Sequence, residues 1–206
     1  VPDYVVTLDP HPTRIGRWFG DPTLKSTDDD DYFRRQDLDP DIGISELERN
    51  RELRELVDKY GPQMEAVIAT SVSQMVTARC LRSGLKLFWW NPIYDDLGNP
   101  DSLTRQVYNI NKVPCMASGG NVGSAAWVFA HAVLGARKIA VVGMDLGYAP
   151  GTPLESTQYY QEIHSIFGDN AQDAYINIHN PHLMETWFTD PTYYWYRDSF
   201  LEMARE

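Results

Sequence analysis

The alternation of short apolar runs with helix-like segments constrains this chain more than any other feature. YVVTL (4–8), EAVIAT (65–70), LKLFWW (85–90) and KIAVVG (138–143) are rich in Val, Ile and aromatic residues without a strict period of two. That is the pattern of strands covered on both faces. Helical patterns fit between them: ISELERNRELRELVDKYG (44–61) starts at cap-capable Ser45 and stops at Gly61-Pro62, and SQMVTARCLRSG (73–84) ends in glycine. VGSAAWVFAHAVLG (122–135) is apolar almost all round, so it is expected to be sandwiched. Strand alternating with helix predicts a parallel sheet, here a Rossmann-like three-layer α/β sandwich forming one domain over 1–206.

The C-terminal third differs in kind and predicts a helical extension. GTPLESTQYYQEIHSIFG (151–168) and DPTYYWYRDSFLEMARE (190–206) read as helices around a loop rich in Asn, Pro and His. Asp190 caps the last helix with Pro191 in its first turn. Tyr193, Tyr196, Phe200 and Met203 recur at helical spacing and read as packing residues rather than an aromatic binding box.

Composition bounds the function. With 206 residues, 43% of them hydrophobic, the chain can bury a sizeable core. A formal charge of −11 argues against a nucleic-acid groove or an anionic membrane surface, both of which need clustered Lys and Arg. Cys80 and Cys115 lie far apart with no metal-like spacing, and no apolar run has the length of a membrane span. The expectation is a soluble, cytoplasmic protein whose partners are small molecules. The acidic run Asp28 to Asp31 reads as a solvated loop.

In an open parallel sheet the ligand crevice lies beyond the carboxyl ends of the strands. Three features fall on that predicted edge. Asp9 follows the first apolar run, Asp145 follows KIAVVG, and the glycine-rich stretch CMASGGNVGS (115–124) follows a short run of its own. Gly119, Gly120 and Gly123 permit positive φ and close approach of a ligand to the backbone, with Ser118 and Ser124 beside them. Asn121 can cap a helix beginning at Val122, whose first-turn amides then favour an anion such as phosphate. The spacing is neither the dinucleotide fingerprint nor the Walker A pattern, so a tight strand-to-helix loop is the competing reading. Asp9 and Asp145 are candidates for holding a divalent cation or acting as general base, against a plain role in capping turns. His11 shares the edge with Asp9 as a candidate acid or base. His131, mid-helix, reads as a satisfied buried histidine, and His179 and His182 lack a third ligand for zinc. No Gly-x-Ser-x-Gly elbow is present, which argues against acyl hydrolysis.

The blocks PDYVVTLDPHP and SGGNVGSAAWVFAHAVLGARKIAVVGMDLGY resemble, in order and spacing, the MptE-like family. That family includes archaeal 6-hydroxymethylpterin diphosphokinases and the central domain of the Maf motility-associated glycosyltransferases. The tail TDPTYYWYRDSFLEMA is similar to the Maf-type branch. The resemblance implies that residues 118–124, Asp145 and Tyr148 line a nucleotide pocket faced by Asp9. It implies transfer of pyrophosphate from ATP to a pterin alcohol, or of a nonulosonic acid from a CMP-sugar, with Mg2+ on Asp9 and Asp145 as the expected metal. Family members usually carry an upstream strand ending in a Gly-Pro-Ser-like turn that also touches the nucleotide. Nothing precedes Val1 here, so a fragment or an incomplete pocket is expected, and a non-catalytic nucleotide-binding module is the alternative to a transferase.

Overall fold

A computed structural model describes residues 1–8 and 46–205, the side chains of 46–51 excepted. The described residues group into two compact units, 1–8 with 46–140 and 141–205. Ser45, the expected cap of the first helix, and the acidic run 28–31 lie outside the described residues.

The first unit is α/β and Rossmann-like. Strands β1 (Tyr4–Thr7), β2 (Glu65–Ala69), β3 (Lys86–Pro92) and β4 (Cys115–Met116) form one parallel sheet in that order. Helix α1 (Glu46–Tyr60) connects β1 to β2, α2 (Gln74–Arg82) connects β2 to β3, and α3 (Leu103–Asn111) connects β3 to β4. Helix α4 (Val122–Val128) follows β4 and runs on into a π-helical turn, Phe129–Val133.

Alternate residues of the strands serve opposite faces of the sheet, as the period of two requires. Ala66 and Ile68 pack with Val76 and Cys80 of α2, and Val57 and Tyr60 of α1 pack against that cluster. Val67, Ala69, Trp90 and Met116 pack with Ala125 of α4, with Val6, Val128 and Phe129 alongside. Helices therefore cover both faces, which is why these strands read as continuous apolar runs. Burial raises the pKa of the Cys80 thiol to about 11, keeping it a small core hydrophobe. Between α1 and β2 the chain turns through Gly61, where a Cβ would sit 2.1 Å from the Ser83 carbonyl oxygen, so no side chain fits.

Serine caps set the helix starts. Ser73 accepts from the Val76 amide and Ser102 from the Arg105 amide, closing the first turns of α2 and α3. At the carboxyl ends of the strands the fully buried Asn91 joins three elements. It accepts from Thr70 Oγ1 at 2.8 Å and donates to Asn111 Oδ1 at 2.9 Å and to the Val113 carbonyl at 2.8 Å.

In the second unit, Ile176–Asn180 (β5) and Glu185–Thr189 (β6) form an antiparallel hairpin, and Tyr148 bridges Phe188. Helices α5 (Tyr160–Phe167) and α6 (Pro191–Met203) flank it in sequence. Asp190 caps α6 by accepting from the Tyr193 amide at 2.8 Å.

Four expectations need correction. The run 138–143 forms no strand, because its backbone finds no ladder partner. The Asn- and His-rich segment between the C-terminal helices is a hairpin rather than a loop. INIHN and ETWFT each supply five residues of ladder, and Asn180 Oδ1 ties the turn by accepting from the His182 and Leu183 amides. The helix starting at 122 buries only its first turns, on Ser124 and Ala125, while Val133 and Leu134 are exposed. Residues 151–159 are mostly turn, with a single 3-10 turn at Leu154–Ser156.

Asn91→Ala leaves Thr70, Asn111 and the Val113 carbonyl short of partners in a dry site. It is expected to lower stability by about 2–4 kcal/mol. Urea denaturation checks this, and a loss under about 0.5 kcal/mol would contradict the role given to Asn91.

Candidate functional site

The carboxyl edge of the first unit is lined by small polar groups. Ser71 donates to the Leu8 carbonyl at 3.0 Å, tying the end of β1 to the loop after β2. Thr7 Oγ1, at the end of β1, and Trp90 Nε1, near the end of β3, are buried with no hydrogen-bond partner among the described residues. Buried polar atoms are almost always paired, so such orphans at a strand end mark a place worth testing.

The glycine-rich stretch lies on this edge, immediately beyond β4. Gly119 and Gly120 take φ of 59° and 85°, values that an L side chain rarely adopts, so the reversal into α4 depends on glycine here. Asn121 then caps α4. Its Oδ1 accepts from the Ser124 amide at 3.0 Å, and its Nδ2 donates to Ser124 Oγ at 2.8 Å. Within the loop the Gly120 amide donates to Ser118 Oγ and the Asn121 amide to the Ser118 carbonyl, both at 3.4 Å. The amides of Gly119, Val122 and Gly123 have no hydrogen-bond partner among the described residues. Val122 is exposed, Gly119 and Gly123 are half-buried and Ser124 is buried. The sequence placed all seven residues, Ser118 through Ser124, and the structure brings them together as one strand-to-helix turn.

A second feature of this edge had no sequence reading. Asp95, beyond β3, reaches across to α3, accepting from the Leu103 amide at 2.6 Å, the Thr104 amide at 3.0 Å and the Thr104 hydroxyl at 2.7 Å. The Thr104 hydroxyl and amide, with the Leu103 amide, hold its carboxyl below the usual carboxylate range. An acidic residue eight positions before a Ser-x-Thr helix start was the available signal.

The other predicted residues are distributed differently. Asp9 and His11 lie outside the described residues. Asp145 and Tyr148 belong to the second unit. Asp145 is exposed and follows no strand, with Gly143 and Leu146 at positive φ on either side of it. The Tyr148 hydroxyl donates to the fully buried Asp190 at 2.7 Å and accepts from the Gln158 amide at 3.1 Å. Burial, then the Asp190 carboxylate, pushes the Tyr148 phenol far above its ordinary range, so it is a hydrogen-bond donor and not a base. Tyr193, also bonded to Gln158, completes this network. His131, expected to be buried, is exposed, stacks on Trp127 with ring centroids 5.1 Å apart and bonds through Nδ1 to the Ala136 carbonyl.

Among the described residues no group of three His, Cys, Asp or Glu could hold a metal ion, and His179 and His182 form no such site. No described helix is long and apolar enough to cross a membrane. No family model, curated protein or solved structure matches this chain.

Tyr148→Phe strips a donor from the buried Asp190 carboxylate and is expected to cost about 1–3 kcal/mol in denaturant unfolding; an unchanged midpoint would contradict the network. Asp95 gives a pH signature. Its folded pKa is depressed, so its contribution is present above the unfolded value of about 3.9 and is lost as pH falls through the folded one. The melting-temperature gap between parent and Asp95→Asn should therefore close in acid. A gap undiminished at about pH 2 would contradict the assignment.

Proposed function

We propose that this chain is a nucleotide-dependent transferase that holds the phosphates of its donor on the turn between β4 and α4. One observation carries the reading. Three backbone amides, those of Gly119, Val122 and Gly123, have no hydrogen-bond partner among the described residues and lie at the carboxyl edge of a parallel sheet, on a turn that Gly119 and Gly120 take through positive φ. Open amides at the start of a helix suit an anion, both through direct donation and through the local dipole.

The likeness to the MptE-like family supplies the donor classes, ATP or a CMP-activated nonulosonic acid. Both carry phosphate, so one turn serves either. In pyrophosphoryl transfer the work of the chain is positioning and charge stabilisation, and fixed amides do both without moving a proton. In glycosyl transfer an acceptor hydroxyl needs a base, for which the sequence offers Asp9, His11 and Asp145 as candidates. Magnesium, if bound, would neutralise phosphate charge; Asp9 and Asp145 are the carboxylates the likeness assigns to it. The acceptors implied are a pterin alcohol for the first chemistry and a hydroxyl group for the second, and the location implied is the cytoplasm.

Calorimetry on the full chain with ATP and with CMP tests the reading. Gly120→Val should abolish binding while the chain stays folded, since it obstructs the turn and strains a residue at φ 85°. Asn121→Ala should weaken binding and cost about 0.5–2 kcal/mol of stability through loss of the cap. Gly120→Val binding like the parent would overturn the proposal. Binding without turnover of either donor, pterin or sugar acceptors included, would leave a nucleotide-binding module in place of a transferase.

A further inference from the structure

The hairpin of the second unit has an outer edge whose geometry follows from the bonds on its other side. The Tyr148 amide donates to the Phe188 carbonyl at 2.7 Å and the Phe188 amide to the Tyr148 carbonyl at 3.2 Å, so both main-chain groups of Phe188 turn away from β5. Opposite residues of an antiparallel ladder alternate between pairs that exchange hydrogen bonds and pairs whose N–H and C=O point outward. Phe188 stands opposite Asn177. Asn177, and His179 two residues on, therefore aim their N–H and C=O groups off the outer edge of β5. Both residues are exposed, and neither bonds to anything outside the hairpin among the described residues.

This edge carries none of the features that discourage another strand. Sheet edges are commonly blunted by lysine, proline or a bulge, and Ile176–Asn180 has none of these, pairing with β6 in unbroken register. From Ala174 to Met184 no residue carries a formal charge, in a chain whose net charge is −11. Two copies with that charge repel each other, whereas β5 against β5 sets no carboxylate against its mate.

The residue pattern also matches itself. A two-fold axis at Ile178 sets Asn177 of each copy opposite His179 of the other, each such pair exchanging both of its N–H···O bonds. This register engages both outward-facing residues of each copy. Ile178 then meets Ile178 at the closely spaced, non-hydrogen-bonded position. Within each hairpin Ile178 stands opposite Trp187, so a single row crosses both hairpins on one face, Trp187 and Ile178 of one copy followed by Ile178 and Trp187 of the other. Cross-strand neighbours that are β-branched and aromatic stabilise a sheet. Ile178 and Trp187 are only half-buried and Ile176 is 38% exposed, which leaves the row apolar surface to cover.

We propose that β5 is a self-association edge: two copies of this chain pair β5 with β5, antiparallel about Ile178, giving one sheet in the order β6-β5-β5-β6. The contact involves the second unit alone and stands whether or not the β4–α4 turn binds a nucleotide.

Analytical ultracentrifugation of the full chain over about a hundredfold range of concentration tests it. A reversible monomer–dimer equilibrium should appear. Added salt should favour the dimer, since it screens repulsion between two acidic copies and leaves an uncharged contact intact. Asn177→Pro removes an outward N–H that the hairpin itself does not use, so it should weaken dimerisation by about tenfold or more with the circular dichroism of the single chain unchanged. Ile178→Cys reads the register. Non-hydrogen-bonded neighbours of an antiparallel pair lie about 4.5 Å apart at Cα, within disulfide reach, so mild oxidation should link two copies. The parent, with buried Cys80 and half-buried Cys115, and an exposed Thr186→Cys on the inner strand should not link. A chain that stays monomeric over the whole range overturns the proposal. A dimer that folded Asn177→Pro leaves at parent affinity, or that Ile178→Cys does not link, overturns it equally. If Asn177→Pro loses its fold, the Ile178→Cys cross-link decides alone.

Discussion

A single buried amide holds the carboxyl edge of the sheet together. Asn91 sits at the end of β3 with no exposure, and its side chain bonds to Thr70 beyond β2, to Asn111 at the end of α3 and to Val113 before β4. The Asn91 amide also donates to the Pro114 carbonyl at 2.8 Å. In a low-dielectric setting each of these bonds is costly to leave unmade, so the three elements cannot shift register independently. The two-residue β4 is too short to define its own position by ladder pairing. It is placed by this amide, and so is the turn that follows it.

From that anchor the chemistry of the edge follows by subtraction. A short strand delivers the chain to Ser118, glycine at 119 and 120 reverses it through positive φ, and Asn121 satisfies one amide of the new helix. What remains among the described residues is three amides without a hydrogen-bond partner, those of Gly119, Val122 and Gly123. The same capping logic acts at α2 through Ser73, which accepts from the Val76 amide, and at α3 through Ser102 and Asp95, which together occupy the Leu103, Thr104 and Arg105 amides. At the β4–α4 turn the amides of Gly119, Val122 and Gly123 have no partner among the described residues and two of the three belong to residues without a side chain, a combination that suits an anion.

Much of the first unit was legible because burial on both faces writes an unambiguous pattern. EAVIA is apolar after Glu65 and LKLFWW after Lys86, the two charged residues pairing at the surface, and Gly61-Pro62 punctuates the end of α1. The helix caps at Asn121 and Asp190 were readable for the same reason, since each is a short polar acceptor directly before an apolar or aromatic segment. The hairpin of the second unit was obscured because its strands carry Asn and His at ladder positions, and these residue types usually signal turns. The Asn91 hub could not be read at all. Thr70, Asn91 and Asn111 are about twenty residues apart, and only the fold makes them neighbours. The run 138–143 shows the opposite failure: its local propensity is that of a strand, but propensity is expressed only where a partner completes the ladder.

The second unit organises itself around Asp190, a carboxylate taken wholly out of water and compensated by Tyr148 and by the first turn of the helix it caps. That use of Tyr148 leaves the β4–α4 turn of the first unit as the place where the functional claim is decided. Amide NMR on the labelled full chain, titrated with ATP and with CMP and then challenged with inorganic phosphate, reads the claim directly. The account predicts saturable shifts at Gly119, Val122 and Gly123 for at least one nucleotide, partly reversed by phosphate. Shifts confined to other parts of the chain, or none at millimolar nucleotide, would contradict it.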